Sequence, residues 1–116
     1  MPERDVRQMK SLSEKKKPRR LTVKHYARII RSHKSELTSK YKVKEIGIFG
    51  SYVRGEQKAN SDLDILVDFY EIPDLYAFVG LADYLEDKLK KNVDLVRKAA
   101  IRNELRDQIL GEVVYL

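Results

Sequence analysis

Apolar side chains recur along this chain in several rhythms, and each rhythm predicts an element. From Leu21, the stripe Val23, Tyr26, Ile29, Ile30, His33 and Leu37 follows a helical period, with Thr22 placed to cap it. His33, on that stripe, reads as a partly buried histidine with one satisfied ring nitrogen. Lys42 to Phe49 reads as a strand that Gly50-Ser51 ends abruptly. A short turn or helix, Tyr52 to Gly55, and a polar loop, Glu56 to Ser61, come next. Asp62 to Phe69 reads as a second strand. Leu63, Ile65, Val67 and Phe69 take one face, and Asp62, Asp64, Leu66 and Asp68 take the other. A slip of one residue would bury the aspartates, so the register is fixed. Pro73-Asp74 precedes a helix from about Leu75 to Lys90, with Leu75, Phe78, Val79, Ala82, Leu85 and Leu89 expected to face inward. Asn92 ends it, and Val93 to Val96 forms a third strand. A last helix, about Ile101 to Leu110, places Ile101, Leu105 and Ile109 on one side and stops at Gly111. Glu112 to Leu116 is left as an apolar tail. This order predicts an α/β (α+β) fold, a small mixed β-sheet of about three to four strands with helices packed against it.

Composition narrows the chemistry. The 116 residues suit one domain with a single core. Without cysteine there is no disulfide, no thiolate zinc site and no cysteine nucleophile. His25 and His33 lie in one segment, so any metal is expected on oxygen ligands. No apolar run reaches the roughly 18 residues that span a bilayer, so no membrane partner is expected and the location expected is cytoplasmic. The net charge of +6 is concentrated at one end: residues 1–20 hold eight Lys/Arg and three Asp/Glu, the rest sixteen against fifteen. Residues 1–20 therefore read as a basic, flexible leader and 21–116 as the domain. The leader suggests nucleic acid only weakly.

The second strand carries the chemistry. Asp62 and Asp64 point the same way, about 7 Å apart. Carboxylates that close repel, and one pKa should rise unless a cation intervenes. Aspartate is also a poor strand former, so two in a strong strand need a reason. Asp94, between Val93 and Leu95, must point away from the core, and a third strand beside the second would bring it to the same place. Three carboxylates can hold two Mg²⁺, with Mn²⁺ a second fit, for in-line displacement at phosphorus. Gly50 lets the backbone approach a ligand closely, and the amides after it and the Ser51 hydroxyl can bind phosphate. Arg54, one turn on, can pair with a phosphate.

Gly50-Ser51-Tyr52-Val53-Arg54-Gly55 followed by Ser61-Asp62-Leu63-Asp64-Ile65-Leu66-Val67 resembles the signature of the DNA polymerase beta-like nucleotidyltransferases. Size, the stretch Leu21 to Leu116 and the ending Ile109 to Leu116 resemble the minimal nucleotidyltransferase (MNT) group within it. The resemblance implies the polymerase beta-like nucleotidyltransferase fold, ATP as nucleotide donor and two Mg²⁺. It implies that Asp62, Asp64 and Asp94 are catalytic and hold the metals, Asp94 nearest the attacking hydroxyl, and that Gly50, Ser51 and Arg54 serve the triphosphate. It further implies an antitoxin that moves AMP to a tyrosine of a HEPN-domain RNase toxin, the two forming a hetero-oligomer. The alternatives are an antitoxin that neutralises by binding alone, and a transferase to a small-molecule hydroxyl. Beyond the third strand too few residues remain for a separate acceptor-binding domain, so the acceptor is expected on another molecule. The apolar tail, Tyr70, Tyr76 and Tyr84 read equally as a contact surface or as core filling and scattered surface tyrosines.

Overall fold

The computed structural model describes residues 21–116, so the basic leader expected over 1–20 lies outside the described residues. Helices α1 (Val23–Ser32) and α2 (Lys34–Tyr41) lead into strand β1 (Val43–Phe49). A four-residue helix α3 (Ser51–Arg54) and strand β2 (Leu63–Phe69) follow, then α4 (Leu75–Leu89) and β3 (Val93–Arg97). A single 3₁₀ turn (Lys98–Ala100), helix α5 (Asn103–Glu112) and strand β4 (Val114–Tyr115) complete the fold. The four-stranded sheet has the order β3-β2-β1-β4. β1 runs antiparallel to both β2 and β4, whereas β2 and β3 are parallel, joined through α4. This is the mixed sheet that the sequence predicts. Among the described residues no helix is long and apolar enough to cross a membrane.

Both faces of the central strands are covered. Ile46, Ile48, Leu63, Ile65 and Val67 meet α1, α2 and α4 through Tyr26, Ile30, Leu37, Leu81, Leu85 and Leu89 in the main core. On the other face, Phe49 and Leu66 pack with Ile101, and with Ile109, Leu110 and Val113 from α5 and the residue after it. Leu66, on the face of the aspartates, is 1% exposed, so the acidic face turns into core within one pleat.

Four details depart from the sequence reading. The first helix is two, because Ile29 O accepts from the Ser32 hydroxyl (2.6 Å) and from the His33 ring (Nδ1, 2.9 Å). The His33 N–H turns to Ile30 O instead, and the helix restarts at Lys34. Thr22 sits at the cap position but its side chain makes no capping bond. In α4, Leu75 and Val79 point to solvent at 78% and 48% exposure, because the stripe that meets the sheet is Phe78, Leu81, Leu85 and Leu89. The last helix begins at Asn103 and passes through Gly111 to Glu112, and the tail is not loose. It forms β4 on the edge of β1, opposite Gly47 and Ile48. A Cβ on Gly47 would stand 2.7 Å from Val113 Cγ2 and 2.8 Å from Val114 O, so glycine is what admits this strand.

Candidate active site

The parallel pairing of β2 with β3 sets Asp64 level with Asp94. Adjacent parallel strands lie about 4.8 Å apart, so the two side chains leave the sheet as neighbours. Asp62 precedes β2 by one residue, on the same side as Asp64. Asp94 is exposed, as is Asp62, while Asp64 is half-buried. The Asp64 pKa is pushed up to about 6, first by burial, then by the charge and hydrogen-bonding contact of Asp94, then by Asp62; Arg54 opposes the rise. Close carboxylates that lack a cation behave in this way.

The donor chemistry fits a hard divalent ion: carboxylate oxygens only, in a cluster that suffers from its own charge. Among the described residues, however, no three such side chains converge on one point at metal-ligand geometry.

The turn after β1 borders this cluster. Gly50 has φ 81° and ψ −151°, a conformation that belongs almost only to glycine. A Cβ at that position would also collide with the Asp64 carboxylate. Gly50 is therefore required twice, for the backbone turn and for the space Asp64 occupies. Its carbonyl accepts from Val53 N (3.0 Å) and Arg54 N (3.1 Å) and starts α3, leaving the Ser51 and Tyr52 amides at the helix start without intrahelical acceptors. An open cavity of about 370 Å³ adjoins Asp62, lined by Ala59, Asn60, Ser61, Lys90, Lys91 and Asn92. Lys91 Nζ donates to Ala59 O (3.0 Å) and so ties the loop before β2 to the end of α4.

All six residues singled out by the sequence, Gly50, Ser51, Arg54, Asp62, Asp64 and Asp94, thus lie at one end of the sheet. Arg54 is engaged by protein groups: Nε donates to Glu56 (3.0 Å) and Nη1 to both oxygens of Glu112 (3.1 Å). The sequence reading missed Glu112, treating it as part of the apolar tail. A signal was present, since an acid in the last turn of a helix opposes the helix dipole and needs a compensating partner. Tyr84 follows the core-filling reading of the two open to it. It is partly buried, donates to Glu36 (2.7 Å) and packs against Tyr41 and His33, so it is structural and not a free contact residue.

Residues 30–116 match the nucleotidyltransferase domain family. The protein adenylyltransferase MntA of Thermococcus cleftensis is 50% identical over 96 residues, covering 83% of this chain and 97% of that protein. A solved structure named provisionally as a minimal nucleotidyltransferase superposes with a TM-score of 0.69 at 32% identity, over 83% of this chain and 97% of that one. A complex of tri-AMPylated Shewanella oneidensis HEPN toxin with MNT antitoxin gives a TM-score of 0.55 at 27% identity, over 78% of this chain and 66% of the matched one. With its mixed sheet, its Gly-Ser turn and its paired aspartates, the chain belongs to the nucleotidyltransferase domain family and has the fold of a minimal nucleotidyltransferase.

Proposed function

We propose that this chain moves AMP from ATP to a hydroxyl, best fitted by a tyrosine of a HEPN-type toxin, and so acts as the antitoxin of a pair. The observation that carries the reading is the Asp64–Asp94 contact beside Asp62 and the Gly50-Ser51 turn. The adenylyltransferase relative and the AMPylated toxin complex support the donor and the acceptor class. In the transfer, the acceptor oxygen attacks the α-phosphorus and the bond to the bridging oxygen breaks. Pyrophosphate leaves with that electron pair, and the hydroxyl proton passes to solvent water. Mg²⁺, when bound, would neutralise charge on the phosphates and lower the pKa of the attacking hydroxyl. Asp62, Asp64 and Asp94 would hold it, with Asp94, an exposed member, on the side the acceptor enters. The Ser51 hydroxyl, the turn amides and Arg54 would orient the triphosphate. Gly50 keeps the turn close to Asp64.

Neutralisation by covering alone is the second reading. Exposed Tyr70, Ile72, Leu75, Tyr76 and Val79, five apolar side chains within ten residues on the β2–α4 corner, give it a surface. Such a patch suits a protein partner under either reading. Co-expression of the toxin with an Asp62→Ala, Asp64→Ala variant separates them. Transfer predicts that the variant still binds the toxin but no longer protects the cells. Protection at the wild-type level would establish covering and refute the need for transfer.

A further inference from the structure

Glu112 occupies an unusual position. It is the last residue of α5, where the helix dipole disfavours an acid, and its side chain is only 15% exposed. Its Oε2 accepts from Gly50 N–H at 2.8 Å, and both oxygens accept from Arg54 Nη1 at 3.1 Å. Glu56 takes Arg54 Nε at 3.0 Å. The two glutamates therefore hold two of the three guanidinium nitrogens and leave Nη2 without a protein partner among the described residues. The carboxylate is itself anchored from behind. Val113 N donates to Ile109 O, and the next two residues pair with β1 opposite Gly47 and Ile48. The edge strand, the end of α5, Glu112, the Gly50 peptide and Arg54 form one connected path from the tail to the turn.

We infer that Glu112 is a positioning residue for the nucleotide: it holds Arg54 with its Nη2 edge open to a phosphate oxygen and fixes the Gly50 peptide, so that the turn is set before ATP arrives. The inference rests on the reading of this turn as the triphosphate site. A clamped arginine loses less side-chain freedom when it meets a phosphate, and that preorganisation appears as affinity. The competing role for a carboxylate here is that of a phosphate mimic, which ATP would have to displace. The two roles predict opposite signs.

Equilibrium binding of a fluorescent ATP analogue with Mg²⁺ to the full chain decides between them. Glu112→Gln keeps a neutral acceptor for Gly50 N–H and removes the charge that holds Arg54. It is expected to weaken binding about tenfold, the scale of one charge-assisted hydrogen bond. Arg54→Ala should weaken binding at least as much. In the Arg54→Ala, Glu112→Gln double variant the second change should have no further effect, because Glu112 acts through Arg54. A purely structural Glu112 would instead give additive losses. Glu112→Ala, which also frees Gly50 N–H, should be weaker than Glu112→Gln, and melting curves identify any variant that is not folded. Equal or tighter binding by Glu112→Gln, or additive losses in the double variant, overturns the inference while leaving the transfer reading intact. A wild-type chain that binds no ATP overturns both.

Discussion

Asp64 is the strained member of the acidic cluster, and replacing it by asparagine should stabilise the metal-free protein. Its pKa stands at about 6 against an ordinary 3.8, with burial the leading cause and Asp94 the next. Between those values the folded chain holds a proton that the unfolded chain has released. Folding stability from this group therefore falls as pH rises from about 4 to 6, and the full penalty is present above 6. About two pKa units correspond to roughly 3 kcal/mol for a group wholly shielded from water. Water reaches much of this side chain, and screening reduces the figure to about 1 kcal/mol. The Asp64→Asn side chain would carry no charge, and its amide could still donate to Asp94. In a domain of this size about 1 kcal/mol moves the melting temperature by roughly 4–8 °C. Thermal melts followed by circular dichroism in EDTA should show Asp64→Asn melting higher than wild type at pH 7.5, with the gap closing toward pH 4. Added Mg²⁺ should raise the wild type and leave the variant nearly unchanged. An Asp64→Asn chain that melts lower than wild type by the same margin at both pH values would refute the electrostatic argument.

Other outcomes follow from the packing. Gly50→Ala forces a Cβ into the Asp64 carboxylate at φ 81° and should cost about 1–3 kcal/mol, visible as a lower denaturation midpoint, together with loss of nucleotide binding. Leu66→Ala, in the second core face at 1% exposure, should cost about 2–5 kcal/mol in chemical denaturation. Tyr76→Glu, at 91% exposure, should leave stability within about 0.5 kcal/mol yet abolish pull-down of the proposed HEPN-type partner. Gly47→Val would meet Val113 and the Val114 carbonyl, and hydrogen exchange should report faster exchange of the Leu116 amide, which donates to Ile46 O at 2.9 Å.

The placement of the candidate site residues was legible because strands encode side-chain direction in a period of two. The alternation through Asp62 and Asp64 fixed the face, and Asp94 between two apolar residues fixed the same face on the neighbouring strand. Only the parallel pairing had to be supplied by the fold. The parts that were not legible depend on competition between nearly equal local choices. Whether Ile29 O accepts from a backbone amide or from Ser32 and His33 decides one helix or two, and periodicity does not register that. In α4, two apolar stripes were available, and only the position of the sheet selects Phe78, Leu81, Leu85 and Leu89 over Leu75 and Val79. Glu112 reaches Gly50 across 62 positions of sequence, and such a contact exists only once β4 has closed on β1.

Transfer chemistry is tested most directly by the position of a radiolabel. The wild-type chain, with Mg²⁺ and the HEPN-type protein proposed as its partner, would be given ATP labelled at the α-phosphate or, separately, at the γ-phosphate. AMP transfer predicts a partner band labelled from the α-position alone, released pyrophosphate, and no band with the Asp62→Ala, Asp64→Ala variant. Label arriving from the γ-position, or an α-labelled band that persists in the variant, would contradict it.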